Sequence, residues 1–238
     1  RLARRHGDIV VVSIFVNPTQ FGPGEDLDQY PRDLENDLSI CEEEGVEAVF
    51  APDSGAMYSG DASVFVDSRA HVDRWEGACR PGHFRGVLTV VAKLFNLTLP
   101  TSAVFGEKDA QQLFLVQRMV RDLDWPLTII PGPIIREPDG LALSSRNVYL
   151  GREEREQALV LSRSLRHAED LLAEGVRAAG KIQDAVLEML GELAEPDYAV
   201  VVDEETFEPV ETVTAPARLL IAARVGKTRL LDNRCLVP

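Results

Sequence analysis

The feature that most constrains the fold is an almost uninterrupted run of β-branched residues close to the start of the chain. Residues 9–16 read IVVVSIFV, which is typical of a strand buried on both faces of a parallel sheet. Apolar residues at helical spacing follow over 34–41, Gly45 ends that helix, and residues 46–51 predict a second short buried strand. Because the connections are short, this order predicts a parallel β-α-β unit with a right-handed crossover.

Strands and helices alternate up to about residue 130, and the pattern then changes. The first part predicts a helix over 84–95, a strand over 102–105, a helix over 113–123 and a strand over 127–130. The second part predicts helices over 158–172 and 182–193, then strands over 198–202, 218–225 and 228–231. We therefore predict an α/β protein with a Rossmann-like parallel-sheet domain over residues 1–134 and a small α+β domain over residues 135–238.

The charge balance excludes several classes of partner. The 238 residues carry 25 Lys and Arg against 39 Asp and Glu, a formal net charge of -14. This disfavours binding to nucleic acid or to an anionic membrane surface, and no apolar run approaches the ~20 residues that span a bilayer. Because the chain is acidic overall, a phosphate-bearing ligand would need a few local cations in a pocket.

The three cysteines lack the spacing of a zinc site or a disulfide framework, which favours a cytoplasmic protein.

The sequence FGEKD at 105–109 lies where a predicted strand is followed by a helix. Ligands bind at this carboxyl edge in open α/β sheets. Gly106 permits close backbone approach, the helix start favours an anion, and Lys108 adds a cation. Asp109 either caps the helix or faces a magnesium ion held mainly by phosphates. A solvated charged turn with an ordinary cap is the competing interpretation, and this segment alone favours it.

A second candidate phosphate site is the sequence LALSSRN at 141–147. Ser144, Ser145 and Arg146 would offer two adaptable hydroxyls and one bidentate cation to phosphate oxygens. The alternative is the capped start of the helix that follows. The chain has no G-x-G-x-x-G, which counts against a dinucleotide fingerprint, and no G-x-x-x-x-G-K-[ST], which excludes a P-loop NTPase.

Amide side chains mark a third polar region. NPTQF at 17–21 follows the first strand, and Gln111 and Gln112 lie one turn into the helix after Lys108. Amides both donate and accept, so they suit a hydroxy acid better than a bare phosphate, although water could equally satisfy each one. The sequence RPGHFRG at 80–86 is a basic island in an acidic protein. We interpret His83 there as a binding or structural residue, not a catalytic one.

The chain resembles the pantothenate synthetase (pantoate–β-alanine ligase) family over essentially its whole length, down to LLDN at 230–233. The resemblance is carried by four motifs in chain order: NPTQF at 17–21, RPGHFRGV at 80–87, FGEKD at 105–109 with Gln111 and Gln112, and DGLALSSRN at 139–147. The resemblance implies a nucleotidylyltransferase-type Rossmann domain, a C-terminal lid domain and a cytoplasmic homodimer. It implies that pantoate attacks ATP to give pantoyl-adenylate and pyrophosphate. The amine of β-alanine would then attack the acyl carbon, giving pantothenate and AMP.

The resemblance also implies roles for individual residues. Catalytic roles in holding and stabilising the ATP phosphates fall to Lys108, Ser144 and Arg146. The wider ATP site would comprise Gly106, Glu107, Lys108, Asp109, Ile135, Leu143, Ser144, Ser145 and Arg146, with Asp109 beside Mg²⁺. Gln20 and Gln112 would bind pantoate, and further pocket positions are matched by Asn17, Tyr30 and Arg80.

Two departures from the family pattern matter. Ala110 stands where the family has an aromatic residue, which we expect to loosen local packing. The family's HxGH motif, whose histidines contact ATP phosphates, and its central first strand belong before Arg1. We therefore expect the true start of the protein to lie upstream, and the missing strand to leave two unpaired sheet edges.

Three hypotheses follow for the chain as given. If it is the ligase without its beginning, we expect poor AMP formation that an upstream segment with the HxGH motif restores. Full activity from the 238 residues would contradict this. A non-catalytic remnant would bind ATP or pantoate without turnover, which calorimetry would reveal. A different adenylyl-transferring enzyme would bind ATP but not pantoate.

Overall fold

Two short two-stranded sheets and the helices around them form the first of two units into which the chain divides. The computed structural model describes residues 1–238; unit 1 comprises residues 1–105 and 111–132, and unit 2 comprises residues 106–110 and 133–238. The elements up to residue 132 are β1 (Val11–Ser13), α1 (Leu34–Glu43), β2 (Ala48–Phe50), α2 (Ser54–Met57), α3 (Glu76–Cys79), α4 (His83–Thr98), β3 (Ser102–Gly106), α5 (Ala110–Asp122) and β4 (Thr128–Gly132). Every strand and helix predicted for this part is present in the predicted order, whereas the four-residue helices α2 and α3 were not predicted.

The pairing of the strands in unit 1 is interrupted. β1 runs parallel to β2, with Val11 opposite Ala48, whereas β3 pairs with β4 in a separate two-stranded sheet. The expectation that residues 9–16 are buried on both faces is wrong, because Ile9 is 72% and Val11 46% exposed. β2 is likewise no better than half-buried. The physical reason is that β1 and β3 each have a neighbour on one side only.

The apolar core of unit 1 lies on α4 and α5 instead of on the sheets. Phe84, Val87, Leu88 and Val91 on α4 are buried, as the helical spacing predicted. Leu99 ends α4 in the left-handed conformation, with φ of 48°. On α1, by contrast, only one residue is buried. Unit 1 is therefore a helical core that carries two short strand pairs.

Unit 2 is an antiparallel sheet covered by two helices. Its elements are α6 (Arg152–Ala173), α7 (Ala179–Gly191), β5 (Glu195–Asp203), β6 (Ala217–Val225) and β7 (Thr228–Leu236), with strand order β5-β6-β7. Leu161, Leu165, Ile182, Val186 and Ile221 form part of its fully buried core. The predicted α+β character of this region is confirmed.

A hairpin precedes the helices of unit 2. Leu143 N–H donates to the carbonyl oxygen of Ile135 and Glu137 N–H donates to that of Leu141, both at 2.8 Å. Gly140, at φ +97°, forms its turn, a conformation that L side chains rarely adopt. A 3-10 turn over Ser145–Tyr149 follows directly, so the hairpin leads into the serine–arginine segment.

None of the helices combines the length and the apolar character that a membrane span requires.

Candidate functional site

The amide of Asn17 is the centre of the turn that follows β1 in unit 1. Its Nδ2 donates to the carbonyl oxygen of Gly86 and to Oε1 of Gln20, each at 3.1 Å. Its Oδ1 accepts from Thr19 Oγ1 at 2.9 Å and from the Tyr58 hydroxyl at 2.8 Å. Asn17 is only 2% exposed, and both ends of its amide are engaged in these hydrogen bonds. It therefore holds the turn and orients Gln20.

Arg80 and His83 hold the backbone of the same turn. Arg80 donates to Glu25 through Nε at 3.0 Å and through Nη2 at 2.6 Å, and its Nη2 also donates to the Gln20 carbonyl at 3.3 Å. The Nδ1 atom of His83 lies 2.8 Å from that same carbonyl oxygen. Since Glu25 neutralises the guanidinium and the Arg80 side chain is 13% exposed, Arg80 is a support of the Gln20 turn.

The surroundings of His83 fix its neutral form. Arg80 Nη1 lies 3.2 Å from His83 Nε2, and a guanidinium only donates, so Nε2 accepts and Nδ1 carries the proton toward Gln20. Burial lowers the pKa of His83, and the charge of Arg80 lowers it further. We predicted a binding or structural residue, and a neutral, buried histidine with both nitrogens engaged supports the structural one of these two roles.

We expect the stability of the protein to fall between pH 7.5 and pH 5.5 because of His83. Its folded pKa lies below the ordinary unfolded value of about 6.5, so unfolding takes up a proton in this window and stability rises with pH. Urea unfolding at the two pH values measures the effect. His83→Asn, whose amide can replace the Nδ1 donor, should flatten the dependence. An unchanged slope in the variant would contradict the assignment.

Gly86 allows α4 to pass directly against the turn. A Cβ at this position would lie 2.3 Å from the Thr19 carbonyl oxygen and 2.7 Å from the Gln20 nitrogen. Both are backbone atoms, so no side-chain rotation could relieve the clash. The glycine of RPGHFRG is therefore required by the close approach of helix and turn, which places Gln20.

The two adjacent glutamines on α5 have different surroundings. Gln111 is 4% exposed; its Nε2 donates to the His71 and Arg74 carbonyls at 2.6 and 3.0 Å, and its Oε1 accepts from Glu76 N–H at 3.1 Å. Gln111 therefore ties down the loop before α3. Gln112 is half-buried, and it is the glutamine that the resemblance assigned to pantoate.

Tyr30 and Ala110 complete the predicted positions outside the phosphate segments. Tyr30 is half-buried and meets the Phe21 ring edge-on, with 5.7 Å between the ring centroids. The two rings thus form an apolar surface next to the polar turn. Ala110, the departure from the family pattern, begins α5 and is 6% exposed.

In unit 2, the side chain of Asn233 on β7 anchors the turn that carries Lys108. Glu107–Asp109 forms a 3-10 turn that runs straight into α5. Asn233 Nδ2 donates to the carbonyl oxygens of Glu107 and Lys108, at 2.8 and 2.9 Å. Asp109 is the last residue of this turn and directly precedes α5, so both predicted roles, helix cap and magnesium neighbour, stay open. The space beside Gly106 is open, which suits an approaching ligand.

The serine–arginine segment begins with its own cap. Ser144 Oγ accepts from Arg146 N–H at 3.3 Å at the start of the 3-10 turn. Leu143 is 57% and Ile135 62% exposed, so both project apolar surface beside the serines. Such surface suits the flat face of an adenine ring, and the polar groups of the segment suit its phosphates.

Ion pairs fix the hairpin on which this segment stands. Arg136 donates to both oxygens of Asp232, at 2.6 and 2.9 Å. Arg155 bridges Glu137 and Asp139, each at 2.6 Å. Arg155 and then Asn147 lower the pKa of the Glu137 carboxyl through hydrogen bonds. The first arm of the hairpin is therefore held by Asp232, and its turn end is held by Arg155.

Sequence reasoning missed the residues that support both segments. The resemblance included Asp232 and Asn233 in LLDN but implied no role for either. It likewise implied no role for Arg136, the partner of Asp232, or for Arg218, the partner of Asn233. The available signal was that Asp232 and Asn233 directly follow Leu230 and Leu231 in a predicted strand, since buried polar groups normally need a hydrogen-bond partner.

A magnesium site built from protein alone is absent. Within residues 1–238 no group of three or more His, Cys, Asp or Glu side chains could hold a metal ion. Asp109 is exposed at the Lys108 turn. One carboxylate beside a polyphosphate fits Mg²⁺, which is usually held by one or two carboxylates and by phosphate oxygens.

Comparison with known proteins gives one consistent result. The Pantoate-beta-alanine ligase family model matches residues 1–235. The pantothenate synthetase of Thermotoga neapolitana is 53% identical over 238 residues, covering 99% of this chain and 85% of that protein. The pantothenate synthetase of Geobacter sulfurreducens is 52% identical over 235 residues, covering 98% of this chain and 83% of that protein.

Solved structures agree with the sequence matches. A crystal structure of pantothenate synthetase from Thermus thermophilus superposes with a TM-score of 0.96 at 46% identity, covering 100% of this chain and 87% of the other. The pantoate-beta-alanine ligase from Francisella tularensis, complexed with beta-gamma ATP and beta-alanine, gives 0.80 at 32% identity, covering 98% and 81%. The predicted α/β fold is confirmed.

Proposed function

The chain belongs to the pantoate–β-alanine ligase family, whose reaction forms pantothenate with ATP, and we propose that its residues perform this reaction through a pantoyl-adenylate. A carboxylate oxygen of pantoate bonds to the α-phosphorus of ATP, and the bond from that phosphorus to pyrophosphate breaks. The β-alanine amine then attacks the acyl carbon, loses a proton and displaces AMP. The products are pantothenate, AMP and pyrophosphate.

The observation that carries this proposal is the organisation of unit 2. One strand, β7, holds the Lys108 turn through Asn233 and the hairpin before Ser144 through Asp232. Both predicted phosphate-binding segments are thus built on a common support. Negative charge grows on the leaving pyrophosphate in the transition state, so fixed cations and donors lower the barrier. We assign this role to Lys108, Ser144 and Arg146.

The remaining residues of the proposed ATP site contribute backbone and shape. Ser145 adds a second hydroxyl, and Ile135 and Leu143 offer apolar surface to the adenine. Gly106 and Glu107 lead into the Lys108 turn. Asp109 would hold Mg²⁺ together with the phosphates, and the ion would neutralise part of the phosphate charge.

We assign pantoate to unit 1. The side chain of Gln20 is oriented by Asn17, and its backbone is held by Arg80 and His83. A carboxylate or hydroxyl of pantoate would bind the amides of Gln20 and Gln112, with Tyr30 beside them. Holding the carboxylate in place converts an encounter between two solutes into a positioned attack.

Gln20→Ala should weaken the binding of pantoate more than the binding of ATP. Loss of a hydrogen bond to a charged group costs ~1.5–3 kcal/mol, so we expect pantoate affinity to fall on the order of 10- to 100-fold. Calorimetry with each substrate measures this. Gln117→Ala, at an exposed position of α5, is the matched control and should bind pantoate normally. Equal losses for pantoate and ATP would contradict the assignment.

Product analysis tests the proposed reaction. Whatever its rate, the AMP formed from ATP, pantoate and β-alanine should be matched by equal amounts of pyrophosphate and pantothenate. Without β-alanine, labelled pyrophosphate should exchange into ATP when pantoate is present. ADP and phosphate as products would contradict the proposal.

We also propose that the protein is a cytoplasmic homodimer. Sedimentation of the purified protein would test the dimeric state.

A further inference from the structure

Two consecutive residues of β7 reach opposite faces of the sheet in unit 2. In register, Asn233 stands opposite Leu220 and Asp232 stands opposite Ile221. Ile221 belongs to the buried core, so Asp232 shares the face of the sheet that the core covers. Neighbouring residues on a strand point to opposite sides, so Asn233 is on the other face. Asp232 is 3% and Asn233 2% exposed.

The amide of Asn233 has a fixed orientation. Arg218 Nη1 donates to its Oδ1 at 2.7 Å, and a guanidinium cannot accept, so the other end of the amide must be the Nδ2 donor. Arg218 in turn donates through Nε to both carboxylate oxygens of Glu204, at 3.1 and 3.0 Å. Burial alone would lower the pKa of Arg218, but the hydrogen bond to Glu204 and the charge of Glu204 outweigh it and raise that pKa overall. The network leaves Nδ2 aimed at the Lys108 turn.

Asp232 serves the second segment. Its carboxylate holds Arg136 by two hydrogen bonds, and Arg136 Nη1 also donates to the Gly140 carbonyl at 3.1 Å. These contacts fix the first arm and the turn of the hairpin that leads to Ser144. Each segment that we assigned to the ATP phosphates therefore depends on one of two adjacent side chains.

We propose that Asp232 and Asn233 are positioning residues of the phosphate site, which hold the Lys108 turn and the Ser144–Arg146 segment in one fixed arrangement. The inference rests on the proposed function of those segments. Neither residue need touch substrate. A preformed set of donors lowers the barrier because it does not reorganise as charge develops, and misplacement by about 1 Å can cost on the order of 100-fold in rate.

Asn233→Asp is the sharpest test. The variant has the same shape and still accepts from Arg218, but a carboxylate oxygen replaces the donor and faces the carbonyl oxygens of Glu107 and Lys108. We expect pyrophosphate release at saturating ATP to fall on the order of 10- to 100-fold. Pantoate affinity should stay within about twofold, because the pantoate residues lie in unit 1. Asp232→Asn, which weakens the hold on Arg136, should show the same separation with a smaller loss.

Two further variants keep the test decisive. Asp197→Asn removes the carboxylate of the Asp197–Arg229 ion pair, at 2.6 Å on the same sheet, and should leave the rate unchanged. Glu204→Gln alters a partly exposed group and leaves Asn233 in place, so it should fold even if Asn233→Asp does not. It should lower the rate severalfold without lowering pantoate affinity, because Arg218 is held less firmly.

The outcomes separate this inference from the proposed function. If the parent chain forms AMP and the Asp232, Asn233 and Glu204 variants match its rate, positioning is wrong and the proposed function stands. Loss of rate, pantoate binding and unfolding free energy in equal measure would show a purely structural role and overturn the inference. If the parent chain forms ADP instead of AMP, the proposed function itself fails.

Discussion

Lys108→Ala is expected to reduce AMP formation by on the order of 100- to 1000-fold, the usual loss when one preorganised group that stabilises transition-state charge is removed. Pantoate affinity should stay within about twofold, because no residue that we assign to pantoate lies in the Lys108 turn. The turn itself should persist, since Asn233 holds it through the backbone carbonyls of Glu107 and Lys108. Single-turnover measurement of AMP, with calorimetry for pantoate, separates the two effects.

The matched control for this change is Lys181→Ala. Lys181 is an exposed lysine on α7 of the same unit, so its removal changes the net charge equally and should leave the rate unchanged. Lys108→Arg should recover part of the lost rate, because it keeps the charge but not the geometry of the ammonium. An equal loss of AMP formation and pantoate affinity in Lys108→Ala would contradict the phosphate role.

Gly86→Ala is expected to weaken pantoate binding at least 10-fold and to lower the free energy of unfolding by about 1–3 kcal/mol. The added methyl group would meet the Thr19 carbonyl oxygen and the Gln20 nitrogen well inside contact distance. Either α4 or the turn must move, and Asn17 loses its bond to the Gly86 carbonyl if they separate. Urea unfolding and pantoate calorimetry measure the two effects.

Gly180→Ala is the matched control for Gly86→Ala: it also adds one methyl group to a helical glycine, but it should stabilise the protein. Gly180 is an exposed helical glycine on α7, and a Cβ there would meet nothing within 4 Å. Alanine is favoured over glycine in a helix, so this control should gain about 0.5–1 kcal/mol of stability without altering pantoate binding. Wild-type pantoate affinity in Gly86→Ala would show that the close approach does not place Gln20.

The sequence was sufficient for the order of elements because their signals are local. The apolar stripe of α4 and the valine run at residues 200–202 of β5 can each be recognised within a few residues. Burial of residues 9–16 could not be predicted in the same way, since it depends on which strands lie alongside. β1 has one partner, β2, and remains largely open.

Residue types identified the candidate site better than they identified its supports. A glutamine after a strand and a lysine before a helix suggest chemistry by their own groups, as with Gln20 and Lys108. The roles of Asn17 and Asn233 arise only from partners distant in the sequence, at separations of 69 and 126 residues. Such pairings depend on tertiary structure, so a local pattern can indicate that a polar residue needs a partner but not which partner it has.

Transfer of heavy oxygen (¹⁸O) from pantoate to AMP tests the central claim most directly. Pantoate labelled in its carboxylate is incubated with the full chain, ATP and β-alanine, and the AMP is examined by mass spectrometry. Attack on the α-phosphorus followed by acyl transfer leaves one carboxylate oxygen on AMP and the other in the pantothenate amide, so the account predicts one labelled oxygen per AMP. Unlabelled AMP, or label found in inorganic phosphate, would contradict the adenylate route.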